Sequence, residues 1–198
     1  MTDYRAYLER SAYVDFDQAA VRQKAEALRV ASPTEVDLVR NAYLFVRDEI
    51  RHSWDAKDPR VTVSASDVLR EGVGICWAKA NLLAALLRAN GVPAGFGYQK
   101  LTLGDTPDTG YCIHALNTVY LASMGKWIRL DARGNTGAIH AEFSTGAEKL
   151  AFPIRPDYGE LDYRDNRPQP SEKLMRVLKT SADALYMYLH LLPDALED

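Results

Sequence analysis

Residues 72–90 read GVGICWAKANLLAALLRAN, and the rest of the chain is arranged around this stretch. Two glycines precede Cys76. Behind it, good helix formers run unbroken to Asn90 and Gly91, with Pro93 just beyond, which is the punctuation of a helix C-terminus. Cys76 is therefore expected to open a helix. Positions 76, 80, 83 and 87 form one stripe, yet Leu82 and Leu86 lie off it, so the helix is apolar around most of its circumference and belongs in the centre of the fold. A thiol at its start faces backbone N–H groups with no helical partner, whose partial positive charge favours thiolate over thiol. Gly72 and Gly74 are expected to let the backbone come close to a substrate. The competing reading is a small core cysteine at a helix start.

The chain has 198 residues, enough for one domain with a sizeable core, and it is expected to form one unit over residues 1–198. A formal charge of -3 gives no reason to expect nucleic acid as a partner. No apolar run reaches the length that spans a bilayer, so no membrane partner is expected either. Two cysteines are too few for a disulfide framework, and the opening MTDYRAYLERS lacks the basic and apolar regions of a signal peptide. The expected compartment is the reducing cytoplasm, where a free thiol survives.

Taken in order, Asp17 is a candidate N-cap for a short helix in which Val21, Ala25 and Leu28 share a face. Ser32-Pro33-Thr34-Glu35 reads as a capping box with proline at the first helical position. It opens a helix whose stripe of Val36, Val39, Tyr43, Val46 and Ile50 runs to about Arg51. His52 at its end reads as a C-terminal dipole partner. Residues 64–70 should form one or two helical turns capped by Ser64 or Ser66. After the Cys76 helix the pattern becomes extended, with strands expected over 94–103, 111–121 and 126–131.

The second and third of these strands are joined by Ala122-Ser123-Met124-Gly125, a length that suits an antiparallel hairpin. Leu121 then faces Lys126, which sets His114 opposite Arg133 and makes Asp131 the diagonal neighbour of His114 on the same face. Diagonal pairs lie about 7–8 Å apart, within reach of an imidazole–carboxylate hydrogen bond. Taken singly, His114 also reads as a core histidine and Asp131 as a cap on the following loop. Beyond Asp131 the periodicity is lost among glycines and prolines, and mostly irregular structure is expected, anchored by Phe143, Phe152 and Ile154. From Ser171, Leu174, Leu178, Leu185, Leu189 and Leu192 mark a C-terminal helix with a break near Thr180.

Cysteine at a helix start, then histidine and aspartate on antiparallel strands, is the order of a papain-like nucleophile system. The run GVGICWAKANLLAALLRANGVPAGFGY resembles the nucleophile segment of the transglutaminase-like superfamily, and the histidine strand and KWIRLDARGN resemble its other two blocks. The resemblance covers roughly residues 60–140 and implies an α+β fold with a papain-like core. In that fold a central nucleophile helix packs on an antiparallel sheet, with a helical part over 1–60, the catalytic core over 60–140, and an irregular segment plus a C-terminal helix over 141–198. It also implies roles: Cys76 as nucleophile, His114 as general base and acid, Asp131 as orienting carboxylate. Trp77, Gly74 and Trp54 are the expected neighbours of the substrate or its oxyanion. One departure stands out, because many members read His-Ala-Trp where this chain has His114-Ala115-Leu116.

The implied chemistry is acyl transfer from an amide, such as a glutamine side chain, of a protein or peptide. A thioester on Cys76 would be resolved by an amine or by water, giving crosslinking, deamidation or proteolysis. No cofactor and no metal are expected. Two alternatives stand beside this reading: a non-catalytic binding module of the same fold, and a zinc site at Cys76, Cys112, His114 and Asp131.

Overall fold

The computed structural model describes residues 4–196, so the ends of the expected 1–198 unit lie outside the described residues. Along the chain run α1 (Ala19–Val30), α2 (Glu35–Leu44), a π-helical stretch (Phe45–Glu49), β1 (Arg51–His52) and the short α3 (Ser53–Ala56). Then follow α4 (Ala65–Glu71), β2 (Val73–Gly74), α5 (Cys76–Arg88), β3 (Ala94–Thr102), β4 (Tyr111–Leu121) and β5 (Lys126–Leu130). The chain ends in β6 (Leu161–Arg167), α6 (Glu172–Thr180) and α7 (Ala184–His190). Strands β5, β4, β3 and β6 form an antiparallel sheet in that order, while β1 and β2 make a two-residue parallel pair. The architecture is the expected α+β one, with α5 packed against β4 and β3 and also against α1, α2 and α4. No helix among the described residues is long and apolar enough to cross a membrane.

Residues 77–88 of α5 are all buried, polar ones included, and each polar side chain is used to fasten a neighbour. Trp77 Nε1 donates to the Ile113 carbonyl on β4 at 2.7 Å. Asn81 Nδ2 donates to Val63 O just before α4, and Arg88 donates to Ala94 O at the start of β3. Lys79 Nζ donates to Ile50 O at 2.5 Å, Arg133 O at 2.8 Å and Arg47 O at 3.3 Å. Burial, and then the Arg133 charge, pull the Lys79 pKa down to about 7. Three carbonyl acceptors still require three N–H donors, and only the ammonium form carries three.

The hairpin register is the expected one, with Leu121 opposite Lys126 and Asn117 opposite Leu130. Elsewhere local hydrogen bonding moved the expected boundaries. Asp17 is taken by Arg10 at 2.7 Å, and α1 starts after Gln18 with no side-chain cap. The cap of α2 is Thr34, which accepts from Asp37 N and donates to Asp37 Oδ2, while Ser32 donates back to Leu28 O; Pro33 thus precedes the helix. The α-helical part ends at Leu44, because the next turn widens and aims the Arg47 and Ile50 carbonyls at Lys79. Ser64 caps α4 in a full capping box with Asp67.

The segment after residue 140 is less irregular than expected, since β6 adds an edge strand to β3. Its sequence LDYRDNR hid it, because an edge strand with exposed faces needs no apolar alternation. The C-terminal helix is two helices, α6 and α7, and Leu189 is exposed rather than in the core stripe.

Strand β6 begins beside Glu160, whose side chain is 1% exposed. Its carboxylate accepts from Thr102 N, Thr102 Oγ1, Arg155 N and the Arg155 guanidinium. Burial acts to raise its pKa, but these donors outweigh burial and bring it down to about 2. The folded pKa lies below the unfolded value of about 4.3, so the contribution to stability is complete above that pH and is lost as pH falls toward 2. Glu160→Gln should therefore lower the melting temperature at pH 6, with the difference from the parent shrinking as pH falls below about 4. A difference undiminished at pH 3 would mean that Glu160 acts by shape and not by charge.

Candidate active site

Cys76 is the first residue of α5, and the residue before it, Ile75, supplies no side-chain cap. The N–H groups of that first turn thus have no side-chain acceptor, and the helix opens with its positive end unscreened. His114 and Asp131 come from β4 and from the residue after β5, and both are buried. Asp131 Oδ2 lies 2.8 Å from His114 Nε2 and also accepts from Ala151 N at 3.0 Å, while Oδ1 accepts from Arg133 N at 3.2 Å. An ionised carboxylate only accepts, so the His114 proton on this side sits on Nε2. Nδ1 is left free of Asp131, and Cys76 lines the same cavity as the ring. The Phe152 ring stands edge-on to the imidazole, with centroids 5.1 Å apart.

Burial of His114 disfavours its charged form, but Asp131 and then Cys76 outweigh that and raise its pKa. Burial likewise acts to raise Asp131, and His114 with the two backbone donors lowers it below the ordinary carboxylate value. The imidazolium–carboxylate pair is thus favoured although both groups are buried.

Cys76 and His114 border a cavity of about 480 Å³, of a size that holds a small molecule or a peptide side chain. Cys76, His114, Cys112, His52, Trp54 and Tyr188 are among the groups that line it. Asp55, also on the wall, holds Arg133 in a two-pronged pair at 2.7 and 3.1 Å. His52 is neutral, because burial, and then Arg133, Lys79 and His114, lower its pKa far below 6.5.

A family model of the transglutaminase-like superfamily matches residues 22–132, just over half of the chain. The chain belongs to the transglutaminase-like superfamily. Among solved structures, it is similar to a candidate cysteine protease from Cytophaga hutchinsonii, with a TM-score of 0.54 and 23% identity over 67% of this chain and 43% of that one. It is also similar to the periplasmic domain of TgpA from Pseudomonas aeruginosa, with a TM-score of 0.49 and 23% identity over 66% of this chain and 48% of that one. The chain therefore spans less than half the length of either solved relative, and the first likeness is one of fold. No curated protein matches the chain.

Within this superfamily fold, the expected site residues divide. Cys76 and His114 share the cavity, Asp131 is hydrogen-bonded to His114 behind it, and Trp54 lies on the cavity wall, stacked on Tyr188 with centroids 4.4 Å apart. Trp77 also borders the cavity, but it is 2% exposed and its indole N–H is engaged by Ile113 O, so the indole ties α5 to the sheet and is not free to donate to an oxyanion. Gly74 serves packing rather than substrate approach, since a Cβ there would stand 2.9 Å from Thr62 Oγ1 and 3.3 Å from Ala78 Cβ. Gly72 closes α4 in the left-handed region at φ +65°. His52 is no dipole partner, because it sits in β1 and its side chain is buried against the cavity. The zinc alternative finds no ligand set, for among the described residues no three His, Cys, Asp or Glu side chains are grouped to hold a metal ion.

Sequence reasoning passed over Tyr188, which closes the cavity from the far end of the chain. The spacing of Ala184, Tyr188 and Leu192 carried a helical signal for it, but nothing local said which element that face would meet. The two thiols of the cavity should differ in reactivity. Burial, and then Cys76, push Cys112 up to about 12. Limited iodoacetamide labelling at neutral pH should modify Cys76 first, as read by peptide mapping. Prior labelling of Cys112 would contradict the site geometry.

Proposed function

We propose that this chain catalyses cysteine-dependent acyl transfer on amides of a protein or peptide, with Cys76 as nucleophile, His114 as base and then acid, and Asp131 as the group that orients and charges the imidazole. The observation that carries this reading is the buried His114 Nε2–Asp131 Oδ2 contact of 2.8 Å, which leaves Nδ1 for a thiol at an uncapped helix start. Cys76 Sγ bonds to the carbonyl carbon, and the carbonyl electron pair moves onto oxygen beside the Cys76 N–H. As the C–N bond breaks, His114 hands its proton to the departing nitrogen and a thioester remains. Water or an amine, deprotonated by His114, then attacks the thioester and returns the thiolate. The two free thiols fit a reducing compartment such as the cytoplasm.

Asp131→Asn should keep the fold yet cut turnover on the order of 10²-fold or more, because an amide favours the other imidazole tautomer and cannot stabilise imidazolium. Unchanged turnover in a folded variant would reduce Asp131 to a loop cap. The acceptor is read by incubating a glutamine-containing protein with and without a primary amine. Amine incorporation marks a transglutaminase, ammonia release alone a deamidase, and shortened chains a peptidase. None of these, from protein whose Cys76 is alkylated readily, would leave a non-catalytic binding module.

A further inference from the structure

One oxyanion donor, the Cys76 N–H, comes with the helix start; a tetrahedral oxyanion in a buried site needs a second. The Trp77 indole N–H is taken by Ile113 O. Arg133 gives one N–H from each terminal nitrogen to Asp55. Tyr188 lines the cavity that Cys76 borders, and among the described residues its hydroxyl is engaged by no other group. Cys76, Cys112, Arg133 and Asp55 line the same cavity. The ring is held in place, stacked on Trp54 at an interplanar angle of 13° and edge-on to His52 with centroids 6.4 Å apart. Its helix is fixed as well: Asp183 caps α7 by accepting from Leu185 N and Tyr186 N, Ala184 N donates to Pro59 O at 2.8 Å, and Met187 is buried.

We infer that Tyr188, delivered by the C-terminal helix α7, is a catalytic residue whose O–H donates to the oxyanion that forms when Cys76 attacks an amide carbonyl. This rests on the acyl-transfer reading above. Burial, and then the two sulfurs, push the phenol up to about 12, so it keeps its proton as a neutral donor. As the Sγ–C bond forms, the carbonyl oxygen gains the electron pair and accepts from Cys76 N–H and Tyr188 O–H. When the intermediate collapses, the pair returns to carbon, the C–N bond breaks, and His114 protonates the nitrogen. Tyr188 neither gains nor loses a proton in this cycle.

Two probes of Cys76 separate this role from others. Acylation by p-nitrophenyl acetate passes through a tetrahedral oxyanion, whereas alkylation by iodoacetamide is a displacement at saturated carbon and forms none. Tyr188→Phe keeps the ring stacked on Trp54 and removes only the hydroxyl. It should lower the rate of the Cys76-dependent p-nitrophenolate burst on the order of 10²-fold, with iodoacetamide alkylation of Cys76 unchanged. An unaltered burst would overturn the assignment. So would equal losses in both reactions, since Tyr188 would then act by placing Cys76 or His114. A parent protein whose burst is no larger than that of Cys76→Ala would defeat the acyl-transfer reading itself, whatever Tyr188 does.

Discussion

A carboxylate with no exposure to water sets the terms for this structure. Leaving Asp131 ionised at the sheet's end would cost several kcal/mol without partners, so both of its oxygens must be met from within the protein. His114 Nε2, Arg133 N and Ala151 N meet them. Each partner constrains a different part of the chain. The histidine pins the register of β4 against β5, the Arg133 amide turns the chain sharply as it leaves the sheet, and the Ala151 amide draws the following loop back over the site. Phe152 arrives against the imidazole as a consequence, since it is the next residue after Ala151.

The same logic runs through α5. A helix buried on all sides would be expected to carry only apolar side chains, yet this one carries Lys79, Asn81 and Arg88. Their donors end on backbone carbonyls at the ends of other elements, which are the groups that lack partners inside helices and strands. Lys79 alone joins the π-helical turn, the start of β1 and the segment after β5. Replacing such a cation by an apolar residue would leave several buried carbonyls unmet, each at a cost of about 1–3 kcal/mol. Cys76 therefore stands on a helix whose position is tied to the sheet and to the N-terminal helices, and the thiol has little freedom to drift from His114.

The cavity is assembled from segments remote in sequence. Its walls come from the turn after β1, the start of α5, the β3–β4 end of the sheet, the loop around Phe152, and α7. The superfamily match covers residues 22–132 and so takes in Cys76, His114 and Asp131, but it stops short of Phe152, Glu160 and Tyr188. The cavity is thus completed by residues of the C-terminal third that lie beyond the match.

Much of the core was legible without coordinates. Helix formers between a glycine turn and Gly-Val-Pro marked α5, and strand periodicity with a four-residue loop fixed which residues of the hairpin share a face, because side-chain direction alternates strictly along a strand. His114 and Asp131 could be paired on that ground alone. Tertiary structure decided what local pattern cannot carry. Thr34 displaced Ser32 as a cap because Ser32 found Leu28 and Asn41; Gly74 turned out to make room for Thr62; and Trp77 was consumed by Ile113. β6 was invisible since an edge strand gains its hydrogen bonds from β3 and not from its own sequence. Tyr188 reached the cavity because α7 packs on α3, more than a hundred residues earlier in the chain, and contacts at such separation depend on the folded whole.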